Sequence, residues 1–136
     1  MLPLRTVVAE ELAMAGRSTR RGAVQAFLDE RGIGHLAHAQ LEAVPANVRT
    51  PLLTEIAASR PGVLALVLTV PDRFGGDPRS WWELAGEFAA AGYAVVVTCT
   101  DAGAYQLTTA EWAHPWTDPR PVALGSAALD SKESLA

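Results

Sequence analysis

The sequence is poor in cysteine, lysine and long apolar runs, and each shortage narrows what the chain can be. A single cysteine, Cys99, excludes an internal disulfide and fits a reducing compartment. No apolar run reaches the ~20 residues that a membrane-spanning helix needs, so no membrane segment is expected. Near the N-terminus Glu10 and Glu11 interrupt any apolar core of a secretory leader, and a cytoplasmic location is the expectation. Lysine occurs once among eleven basic residues and the formal net charge is −4, which argues against a polyanion binder acting through bulk charge. The one local basic cluster, Arg17, Arg20 and Arg21, is read as the solvated start of a helix. Histidine is also scarce. His35 and His38 have a metal-like spacing, but His114 is far away and no cysteine lies near, so no metal and no cofactor are expected.

What remains is a chain of 136 residues, 49% hydrophobic and 19% charged, which suits one globular domain with a sizeable core. The stretch from Val63 to Asp101 organises it. VLALVLTV (Val63–Val70) has the continuous apolar character of a strand buried on both faces. PDRFGGDP (Pro71–Pro78) is a polar loop, and Asp77-Pro78 at its end is a helix cap followed by a first-turn proline. SWWELAGEFAAAG (Ser80–Gly92) repeats Trp81, Ala85 and Phe88 at helical spacing, with Gly92 placed for a left-handed C-terminal residue. YAVVVTCT (Tyr93–Thr100) closes a strand–helix–strand unit of the kind that builds parallel sheets. Sites in open parallel sheets lie beyond the carboxyl ends of the strands, which singles out Asp72, Arg73, Gly75 and Gly76.

The flanks carry weaker signals. Leu4–Ala9 reads either as a first strand or as part of a helix capped by Thr6 and running through Ala15. Val24, Phe27, Leu28 and Arg31 share one face of a helix from about Arg20 to Arg31 that Gly32 ends. His35–Glu42 alternates roughly and reads as a short strand. Thr50-Pro51 has the form of a cap and first-turn proline for a helix whose inner face is Leu52, Leu53, Ile56 and Ala57. Thr108 and Glu111 have capping-box spacing for a short helix limited by Pro115. The expected organisation is a single three-layer α/β domain over residues 1–116, with a mostly parallel four- or five-stranded sheet. Residues 117–136 are expected to form a mobile tail.

From about Ala23 to Asp101 this order of elements, with the residues of its loop, resembles the catalytic domain of resolvase/invertase-type serine recombinases. In that family a hydrophobic strand runs into a Leu-Asp-Arg-Leu-x-Arg loop, and the next helix ends before Gly-Val and another strand. The matching run here is LTVPDRFGGDPRSWWELAGEFAAAGYAVVV, and Arg49 in NVRTPLLTEI falls where the family carries an arginine before a helix. The resemblance implies Ser18 as nucleophile, Arg17, Arg49 and Arg73 stabilising a phosphate, and Asp72 orienting Arg73. It departs in three places. The Tyr-x-Arg-x-Ser segment is absent, with Gly16-Arg17-Ser18-Thr19 its nearest counterpart. Gly76 replaces the second loop arginine, and the long dimerising helix expected after Asp101 is missing. Strand transfer needs an activated hydroxyl and several guanidinium groups, and one lost donor of that kind costs about 10²–10³ in rate. The resemblance therefore implies a catalytically impaired relative, associated with DNA and kept as a binding or regulatory module.

A second reading belongs to another class: a small α/β protein-interaction domain with no nucleic-acid partner. Trp81 and Trp82, adjacent on a helix, cannot share one face, so one indole points partly away from the sheet, either packed under the tail or as a surface for a protein partner or a homodimer. A third reading, an anion or nucleotide held by Gly75-Gly76, meets the objection that the Asp77 carboxylate already satisfies those amides. Cys99, with no adjacent positive group, reads as a small buried residue. Convergence of Arg17, Arg20, Arg21, Arg49 and Arg73 on one surface separates the DNA reading from the interaction reading.

Overall fold

The computed structural model describes residues 1–69 and 77–110, with only the backbone of Arg21. In chain order the elements are α1 (Leu4–Met14), α2 (Arg21–Glu30), two single-turn 3₁₀ segments (Gly34–Leu36 and Leu41–Ala43), α3 (Ala46–Ala58), β1 (Ala65–Thr69), α4 (Pro78–Ala90), β2 (Ala94–Thr98) and α5 (Asp101–Thr109). The chain is a mixed α/β protein, with five helices and one two-stranded parallel sheet among the described residues.

Leu4, Val8, Leu12 and Ala15 recur at helical spacing and are all buried, so the first segment forms a helix and not a strand. Its start lies at Pro3, upstream of the expected Thr6, because the chain supplies its own acceptors there. The amide of Leu4 donates to the Ala39 carbonyl at 2.8 Å and that of Arg5 to the Ala37 carbonyl at 3.0 Å. These bonds also explain why His35–Glu42 is not a strand. Its carbonyls cap α1, and only Gln40 makes a ladder-type bridge, to Pro3.

Helix α2 agrees with the expected span and closes as its sequence implies. Gly32 adopts a φ of +69°, and the amide of Ile33 returns to the Leu28 carbonyl at 3.0 Å. Helix α3 begins at Ala46, four residues before the expected Thr50-Pro51 start. Pro45 presets the entry, and its carbonyl takes the amides of Val48 and Arg49, each at 2.9 Å. Pro51 consequently sits inside the helix. The main core joins α1, α2, α3 and the turns between them, through Leu4, Val8, Leu12, Phe27, Leu28 and Ile56 among others.

The strand–helix–strand unit forms where the sequence places it. Strands β1 and β2 run parallel, with Ala65 opposite Ala94 and Thr69 opposite Thr98. Helices α3 and α4 pack on β1 and β2 respectively. Asp77 caps α4, its Oδ1 accepting from the Arg79 amide at 3.2 Å, and Pro78 follows as expected. Gly92 ends α4 with a φ of +99°.

Three further expectations differ from the structure. Among the described residues the sheet has two strands where four or five are expected, because Leu4–Ala9 lies in α1 and His35–Glu42 in the turns after α2. Strand β1 is not buried on both faces: Leu66 and Leu68 point into the molecule, while Leu64 and Val67 are 81% and 64% exposed. Helix α5 starts at a cap formed by Thr100, whose side chain accepts from Gly103 N at 3.2 Å. Thr108 therefore ends a helix and does not start one, and its hydroxyl donates back to the Tyr105 carbonyl at 2.9 Å. Glu111, the expected domain boundary at 116 and the expected tail lie outside the described residues.

Candidate functional site

Ser18 and Arg17 lie in the exposed turn that joins α1 to α2. The turn geometry uses the serine locally, since the Arg20 amide donates to Ser18 Oγ at 3.5 Å. Arg17 lays its guanidinium over the Phe27 ring, 5.1 Å from the centroid. Arg49 is half-buried at the end of the first turn of α3, where its Nη1 donates to the Leu41 carbonyl at 3.2 Å.

These anchors fix how far apart the two arginines stand. The Leu41 carbonyl adjoins the segment that caps the start of α1, whereas Arg17 follows the end of that helix. At 1.5 Å per residue the eleven residues of α1 put roughly 16 Å between the two ends. Arg17 and Arg49 are thus at opposite ends of α1. Asp72, Arg73, Gly75 and Gly76 lie outside the described residues.

A recess of about 430 Å³ opens between the first turns of α3 and α4, with Asn47 and Thr50 on one wall and Asp77, Ser80 and Trp81 on the other. Trp81 is 3% exposed and its Nε1 has no hydrogen-bond partner among the described residues. Trp82 is half-buried and meets Trp81 edge-on, at 6.4 Å and 78°. One indole does turn away from the other, yet neither offers a broad open surface. His35 and His38 are both exposed, and no group of three potential metal ligands occurs among the described residues. Cys99 is half-buried.

An apolar opening lies on the sheet. Ala65, Val67 and Thr69 of β1 stand opposite Ala94, Val96 and Thr98 of β2, and all six are exposed on the face away from α3 and α4. None is charged. Parallel sheets are ordinarily covered on both faces, so a face that no element covers among the described residues is a departure from the usual architecture. Leu64, just before β1, enlarges the opening. An apolar run alone does not reveal this, but threonines at 69 and 98, facing the same way as Val67 and Val96, are the sequence signal for it.

The strongest polar constellation serves the fold. Arg31 crosses from α2 to α3, donating Nε to Glu55 Oε2 at 3.1 Å and Nη2 to Glu55 Oε1. Its Nη1 donates to the Phe27 carbonyl at 2.9 Å, and its guanidinium lies 3.6 Å from the Phe27 ring centroid. The hydrogen bonds to Glu55 push the Arg31 pKa above its ordinary value, partly opposed by burial. Sequence reasoning placed Arg31 on the inner face of α2 but missed Glu55, which is 24 residues away.

Among the described residues no helix is long and apolar enough to cross a membrane. The chain matches no protein-family model, no curated protein and no solved structure.

Proposed function

We propose that this chain is a non-catalytic α/β protein-interaction module that works through the open face of its parallel strand pair. The observation that carries the reading is the uncharged surface of Val67 and Val96 with Leu64 beside them, on a sheet type that is ordinarily covered. The separation of Arg17 from Arg49 by the length of α1 favours it over a phosphate-binding site, which needs its guanidinium groups around one point. A resolvase-like role in DNA recombination, with Ser18, Arg17, Arg49, Asp72 and Arg73 at a degenerate site, is the alternative proposal, and it leans on the loop from 71 to 76.

One experiment separates the two. A photo-crosslinking residue is placed at position 96 and, as a control, at exposed position 42, in the cells that make the protein. A discrete protein adduct from position 96 alone is the expected result. The parent chain is also mixed with supercoiled and linear DNA at low salt, and neither binding nor nicking is expected. DNA binding that weakens in Arg49→Ala, together with no adduct at position 96, would overturn the interaction reading.

A further inference from the structure

Resting on the interaction reading, we propose that the free edge of β1 accepts one added strand from a partner polypeptide, extended and uncharged, with small or apolar side chains. The peptide groups of the strand dictate this. The Ala94 amide donates to the Leu64 carbonyl at 3.0 Å. In a parallel ladder the groups alternate, so Leu64, Leu66 and Leu68 turn theirs toward β2. Ala65, Val67 and Thr69 then present three N–H and three C=O groups to the opposite edge. None of these is paired there among the described residues. A two-stranded sheet is marginal by itself, and an unpaired apolar edge is a template for another strand.

The space beside that edge has the form of a slot for one strand. A groove of about 410 Å³ runs along β1, and Glu11 of α1 with Leu53, Ala57 and Arg60 of the α3 region forms its far wall. The helices therefore extend past the strand edge, over the position the next strand would take. A lone segment fits beside that edge without bringing helices of its own. Glu11 and Arg60 are the charged side chains lining the groove, and they pair with each other at 2.5 Å through Arg60 Nη2, while the buried Arg60 Nε has no partner among the described residues. The slot thus offers no net charge, and an uncharged strand complements it. Specificity would come from alternate side chains, and affinity from the six peptide groups.

The test uses the full chain and an acetylated, amidated heptapeptide of alternating threonine and valine, followed by amide hydrogen exchange in NMR spectra. At about 1 mM peptide, the amides of Ala65, Val67 and Thr69 should shift and exchange at least about tenfold more slowly, while those of Leu66 and Leu68 stay as they were. Val67→Pro removes one outward donor without touching the β2 ladder, and it should abolish the response. If that variant fails to fold, Ala57→Gln, which narrows the groove from the helix side, should abolish the response instead. An absent response in the parent chain overturns the proposal. So do slow exchange of the three amides in free monomer, meaning that this chain already fills the slot, and protection lost on dilution, meaning a second copy. A null peptide result with a surviving adduct at position 96 removes the edge assignment alone, whereas loss of both removes the interaction reading too.

Discussion

Replacing Arg31 by alanine should destabilise the protein by about 2 kcal/mol, and the structure says where that figure comes from. The side chain is 26% exposed and its partner Glu55 is 48% exposed, so solvent screens the forked ion pair to about 0.5–1 kcal/mol. The guanidinium stacked 3.6 Å from the Phe27 centroid is worth about 1 kcal/mol, because burial of that ring keeps water off one side. The bond to the Phe27 carbonyl adds about 0.5 kcal/mol net. For a domain of this size the total lowers Tm by about 8 °C. Urea unfolding followed by circular dichroism measures the difference. Arg31→Lys keeps a charge but not the planar fork, and should recover less than half of the loss. In about 0.5 M salt the ion-pair share should fade while the stacking share stays. A loss under about 0.5 kcal/mol for Arg31→Ala would refute the view that this residue joins α2 to α3.

Two further perturbations probe other joints. Ile56→Ala empties a fully buried position where α3 meets α1 and α2, and should cost about 3 kcal/mol by denaturant unfolding, with m unchanged. Asp77→Ala removes the carboxylate that holds the first turn of α4, and should cost about 1 kcal/mol, most of which Asp77→Asn restores.

The parts of this fold that were legible in the sequence are those set by local chemistry. Asp77-Pro78 and Gly92 mark the two ends of α4, and the apolar runs before and after it mark β1 and β2. The illegible parts depend on partners distant in the chain. Thr50-Pro51 has the form of a helix start, but Pro45 and its carbonyl begin the helix a turn earlier. The alternation of His35–Glu42 resembles a strand, yet its carbonyls are claimed by the amides of α1. A continuous apolar run is compatible with either one or two buried faces, so the bare side of Val67 and Val96 appears only once the packing of α3 and α4 is known. The same limit applies to the site. The adjacency of Arg17 and Ser18 is plain in the sequence, whereas the helix that separates Arg17 from Arg49 is not.

That β1 has one dry side and one wet side is the claim on which the functional reading stands, and a pair of substitutions tests it. Equilibrium unfolding of Leu66→Ala and of Val67→Thr compares neighbouring positions on opposite faces of the strand, 6% and 64% exposed. A loss of about 2–4 kcal/mol for the first and under about 0.5 kcal/mol for the second is the result this structure requires. Comparable losses at both positions would mean that β1 is buried on each side and has no surface to offer.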